Sequence, residues 1–233
     1  MWSLSVITRT VLDGLHRREL EMAEEHAVRG LDSLREIDLH PLVSQSFTES
    51  SHRAIREACF PSPAEGLPGR NARDRVDLVL LPEGKMALYD PVDAHKELHK
   101  ASGTLFETVA ELPGLSESEC DPSDAFWIEI KAIPQFRYVD GVPQPNARYA
   151  HELINGPAED VVKLAADPMI RHGGVLVLLF TELEEAGEHD LAMAIRTMID
   201  RDLPVGMPDI EKMPIQDRGG NAWCTLGLIP VRF

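Results

Sequence analysis

Two apolar segments carry charged residues at positions where a strand would set them on one face. In Arg75-Val76-Asp77-Leu78-Val79-Leu80-Leu81 a period of two groups Asp77 with Arg75 and Val79, opposite Val76, Leu78 and Leu80. In Ala125 to Ile133 it groups Glu129 and Lys131 with Trp127, opposite Phe126, Ile128 and Ile130. If the two strands pair in register, the carboxylates come within about 5 Å at Cβ. Two acids so close repel and raise each other's pKa unless a cation lies between them, and a hard divalent ion such as Mg2+ or Mn2+ favours such an oxygen pair. A lysine two residues along then orients or deprotonates a metal-activated water, or stabilises phosphorane-like negative charge.

The rest of the chain supplies elements to position these residues. Val11 to Ala27 reads as an amphipathic helix stopped near Gly30. A second helix begins around Asp32 or Ser33 and ends before Ser50, with Pro41 forcing a late start or an interruption. Strands follow at Ala54 to Phe60, Arg75 to Leu81 and Ala125 to Ile133. Arg148 to Ala166 is a helix interrupted at Gly156-Pro157, Gly174 to Phe180 a buried central strand, Glu188 to Asp202 a helix and Ala222 to Phe233 a last strand. This order predicts an α/β (mixed α+β) fold, a mixed sheet with helices on its faces. One domain spans residues 1–233, with an accessory N-terminal helix in 1–30 and a C-terminal helix and strand extension in 181–233. Residues 82–124 form an acidic insertion, ten acidic against three basic residues, with a helix expected near Asp93 to Lys100.

Asp77 followed by Glu129-Ile130-Lys131, on adjacent strands between flanking helices, resembles the PD-(D/E)XK superfamily of restriction-endonuclease-like nucleases. The likeness covers roughly Asp32 to Phe180 in element order. It implies an αβββαβ core and a divalent-metal-dependent site that hydrolyses nucleic-acid phosphodiesters, with the long acidic insertion between the second and third core strands. Asp77 and Glu129 would be metal ligands and Lys131 the catalytic lysine. An additional acid from the first core helix is assigned to Glu36, with Glu57 as the fallback. Val76 stands where the name-giving motif has proline. Gln135 resembles the extra glutamine of exonuclease-type members and, with Arg75, is a candidate for substrate binding. Arg70, Arg73, Arg137 and Arg148 would complete a basic rim suited to a phosphate backbone. The alternative is a catalytically inactive module on the same scaffold whose acidic surface engages a basic protein partner.

Composition restricts the alternatives. A net charge of -16 argues against coating nucleic acid or anionic membrane by bulk electrostatics, so nucleic acid must be met in a local cleft. No apolar run approaches the ~20 residues of a membrane span, and residues 1–10 lack secretory-signal features, so a cytoplasmic location is expected. Cys59, Cys120 and Cys224 are widely spaced and suggest neither a disulfide framework nor a sulfur-rich zinc site. His95 and His99 stand at zinc-binding helical spacing, but Glu97 does not directly follow the first histidine as a zincin requires. Phosphate-binding and dinucleotide-binding glycine motifs and a nucleophile elbow are absent, which removes kinase, dehydrogenase and esterase readings.

Overall fold

The computed structural model describes residues 2–48, 50, 52–63, 74–92 and 115–233. In chain order its elements are α1 (Leu4–Glu24), a 3-10 turn (Leu31–Ser33), α2 (Glu36–Ser46), β1 (Arg53–Cys59), β2 (Arg75–Leu81), β3 (Ala87–Leu88), β4 (Glu119–Cys120), β5 (Phe126–Pro134), β6 (Phe136–Val139) and β7 (Val142–Pro145). They continue as α3 (Tyr149–Ala166), β8 (Gly173–Thr181), α4 (Glu184–Asp200), β9 (Asp209–Pro214) and β10 (Trp223–Pro230). Six strands form one mixed sheet in the order β1-β2-β5-β8-β10-β9. Only the β5–β8 pair is parallel; the other four pairs are antiparallel.

Every residue of β8 is buried, which its run of Val and Leu requires, because a strand in the middle of the sheet has helices over both faces. On one face α1 and α2 cover Leu78, Leu80, Ile128, Ile130, Leu176 and Leu178. On the other, α3 and α4 cover Val79, Leu81, Trp127, Ile133, Val175 and Val177. The indole Nε1 of Trp127 donates to the Pro122 carbonyl at 2.9 Å and ties the chain entering β5 to the core. Gly14 of α1 abuts Ser46 with no room for a Cβ, so α1 holds α2 at close range. Among the described residues no helix is long and apolar enough to cross a membrane.

Several boundaries differ from the sequence reading. Helix α1 starts at Leu4 because Ser3 Oγ accepts the Val6 amide at 3.4 Å and Ile7 extends the buried stripe Val11, Leu15, Met22 backwards. Neither proline interrupts its helix. Pro41 lies inside α2, where the carbonyl it leaves unpaired belongs to exposed Ile37, and Pro157 is buried inside α3, its ring serving as core surface. Helix α4 begins at Glu184 rather than Glu188, with Glu184 and Glu185 in the first turn favoured by its dipole. Unanticipated are the parallel pair β3–β4, the hairpin β6–β7 and the edge strand β9, in which half the residues are charged and only Met213 is fully buried. Val76 also departs from simple alternation, packing in the same core as Val79. Residues 93–114, with the expected helix and the His95–His99 pair, and Arg70 and Arg73 lie outside the described residues.

Candidate metal and catalytic site

The cluster arises where β2 and β5 part. Their register runs Leu80↔Phe126, Val79↔Trp127, Leu78↔Ile128 and stops. Beyond it the outward amides of β5 need other acceptors. The carboxylate of Asp77 takes the Ile130 amide at 2.7 Å, and Glu36 from the first turn of α2 takes the Ala132 amide at 3.2 Å. Two acids thus stand in for a missing stretch of strand. Across β2, Glu57 falls between the pairs Arg56↔Leu78 and Ala58↔Val76, directly opposite Asp77, and adopts a left-handed conformation with φ 54°. Such a backbone costs a non-glycine residue energy and breaks the alternation of β1. Glu57 Oε1 thereby reaches 3.4 Å from His40 Nδ1 on α2, while Asp77 Oδ1 is 3.7 Å from the same nitrogen. One ligand atom each from His40, Glu57 and Asp77 lies within 4.8 Å of the others.

Glu129 shares the Asp77 side of this cluster and is 5% exposed. It makes a side-chain hydrogen bond with Asp77, which requires a proton on one of the two carboxyl groups. Burial first, then the charges of Asp77 and Asp160, push its pKa up to about 10, so Glu129 carries that proton at neutral pH. Lys131 does not neutralise the pair. Its Nζ lies 3.1 Å from Glu36 Oε1 and 3.0 Å from Asp160 Oδ2 on α3. Burial alone would lower the lysine's pKa, but the Asp160 and Glu36 carboxylates outweigh it and hold it above its usual value. Lys131 is therefore a fixed cation, not a base that deprotonates water. Asp160, buried to 1%, also accepts from Lys163 at 2.9 Å. The stem of Lys131 passes Gly156 of α3, its Cδ 3.4 Å from where a Cβ would stand, an ordinary packing distance.

The residues named from sequence fall into two groups. Asp77, Glu129, Lys131, Glu36 and Glu57 converge at the β2–β5 opening, with Glu36 on the lysine side and Glu57 on the histidine side. Gln135 and Arg75 serve the backbone around it: Gln135 Oε1 accepts the Glu182 amide at 3.0 Å, and Arg75 donates to the Glu57 carbonyl at 3.0 Å. Arg137 and Arg148 both meet Glu152 at the rim of a cleft of about 360 Å³ that also exposes Glu36 and Lys131. His40 and Asp160 were not found from sequence. His40 stands one helical turn after Glu36 on the same face, and Asp160 sits among the buried Pro157, Val161 and Leu164 of α3. An aspartate on an apolar stripe was a readable signal.

This donor set is mostly carboxylate oxygen with one imidazole, which suits Mg2+ or Mn2+ and gives Mn2+ the edge. No protein-family model, curated protein or solved structure matches the chain.

Proposed function

We propose that the protein is a divalent-metal-dependent nuclease that hydrolyses phosphodiester bonds of nucleic acid, built on a restriction-endonuclease-like core. The main-sheet run α2, β1, β2, β5, α3, β8, with β2 antiparallel to both β1 and β5 and β8 parallel to β5, has the αβββαβ order which that resemblance implies. The observation that carries the reading is the Asp77–Glu129 pair. The buried Glu129 and half-buried Asp77 carboxyls sit side by side, and among the described residues no lysine or arginine forms an ion pair with either, although Lys131 is only two residues from Glu129. A structural ion network would have turned the lysine inward to them. Here it is held aside by Glu36 and Asp160, and a place for another cation remains.

Asp77 would hold Mg2+ or Mn2+ together with His40 and Glu57, and Glu129, beside Asp77, would add the next oxygen. A bound divalent ion supplies Lewis acidity and a water of lowered pKa. Lys131, permanently protonated and fixed between two acids, places positive charge where negative charge grows on the phosphoryl oxygens. Asp160 and Glu36 are its positioning residues.

The test is cleavage of labelled single-stranded and duplex DNA and RNA in Mg2+, Mn2+ or EDTA. Metal-dependent cutting that disappears in Glu129→Gln and Lys131→Met supports the proposal. A folded protein that cuts none of these substrates, and whose melting point ignores both metals, refutes it.

A further inference from the structure

A second feature borders the acid cluster on the same two elements. Between the C-terminal half of α2 and the edge strand β1 runs a groove of about 610 Å³, lined among others by Pro41, Arg53, Arg56, His52 and Lys85. It begins one residue from the cluster on either wall, Pro41 following His40 and Arg56 preceding Glu57. The left-handed Glu57 interrupts the alternation of β1, so Arg56 and Glu57 both serve the α2 side.

In a chain of net charge -16, no acid is among the groove's described lining residues. None of its three permanent cations forms an ion pair among the described residues: Arg53 touches Met86 Sδ at 3.9 Å and Lys85 donates to the Glu117 carbonyl at 2.9 Å. Arginine and lysine left unneutralised in so acidic a protein make a local positive track. At its far end the His52 ring lies 4.8 Å from that of Trp2, and His52 Nδ1 is buried without a partner. The half-buried His52 ring, which lines the groove, is a surface on which an unstacked base can stack, and a duplex presents no such base.

We infer that this groove binds the backbone of a single polynucleotide strand, with Arg53, Arg56 and Lys85 on successive phosphates, and leads that strand to the acid cluster. The inference rests on the nuclease reading for its direction, but strand binding itself does not need catalysis.

The experiment uses the full chain and a fluorescein-labelled oligothymidylate of about 20 nucleotides. Binding is followed by anisotropy in Ca2+ over a salt series, and cleavage of the same oligonucleotide is followed in Mn2+. The variant is Arg53→Gln/Arg56→Gln, both exposed side chains. Its control, with equal charge loss, is Arg196→Gln/Arg232→Gln, two exposed arginines away from the groove. The groove variant should bind about ten-fold more weakly at low salt, its log–log salt slope should fall by about 1.4, and the control should bind as the parent does. Equal loss in both pairs, no loss in the groove variant, or tighter binding of a duplex of equal length overturns the inference. A parent that cuts the oligonucleotide while the groove variant binds and cuts equally well removes the groove and leaves the nuclease. Groove-dependent binding without cleavage of any substrate leaves the groove and removes the nuclease.

Discussion

Replacing Glu129 with Gln should erase a pH dependence of stability that the metal-free protein carries. In the folded protein burial and the Asp77 charge hold the Glu129 pKa at about 10, against an ordinary 4.5. Between these values the native chain keeps a proton that the unfolded chain has released. The stability this proton confers is full below pH 4.5 and is lost as pH rises towards 10. One proton corresponds to about 1.4 kcal/mol per pH unit, so from pH 5.5 to 8.5 the parent should lose about 4 kcal/mol relative to Glu129→Gln. For a chain of this size that difference amounts to ~8 to 16 °C in melting temperature. Urea unfolding of both proteins in EDTA across this range measures it. Millimolar Mn2+ should flatten the parent's curve, because the ion takes the place of the proton. A parent-minus-variant difference that stays level with pH would refute the claim that Glu129 is protonated beside Asp77.

Lys131→Met leaves Asp160 with Lys163 alone and should destabilise by about 3 kcal/mol, and the double variant Lys131→Met/Asp160→Asn should regain part of this in the same urea assay. His40→Ala should reduce the rise in melting temperature caused by Mn2+ more than that caused by Mg2+, because imidazole favours the softer ion. Away from the site, Arg218→Met should cost about 3 to 5 kcal/mol by urea denaturation. Arg218 Nη1 sits 2.5 Å from Glu19, both side chains are almost wholly buried, and its Nε bonds the Ala27 carbonyl.

Alternation along strands made Asp77, Glu129 and Lys131 legible, since a period of two assigns faces without knowledge of the fold. It failed at Val76, which packs in the same core as Val79. In β1 a left-handed Glu57 opposite Asp77 resets the count, and nothing in the type Glu announces such a backbone. The choice between Glu36 and Glu57 as the extra acid had no sequence solution. Helix α2 and strand β1 deliver both, one to Lys131 and the other to His40. Asp140-Gly141, with φ 51° and 82°, is a hairpin signal that could have been read between β6 and β7. Strand β9 gave little signal, because an edge strand that buries one methionine looks like a polar loop. A lysine at this position can serve a metal site, where its loss barely affects stability, or a structural network, where its loss is costly. Its ion pairs with Glu36 and Asp160 beside the Asp77–Glu129 pair join the two roles, so stability alone does not separate them.

The most direct test of the central claim is the number of protons released when Mn2+ binds, measured by titration calorimetry near pH 7 in two buffers of different ionisation enthalpy. An ion entering between Asp77 and Glu129 must displace the proton on Glu129, so the account predicts one Mn2+ per chain and about one proton released. Asp77→Asn should abolish this binding. Absence of binding at millimolar Mn2+, or binding that releases no proton and survives Asp77→Asn, would contradict the assignment of this carboxylate pair as the metal site.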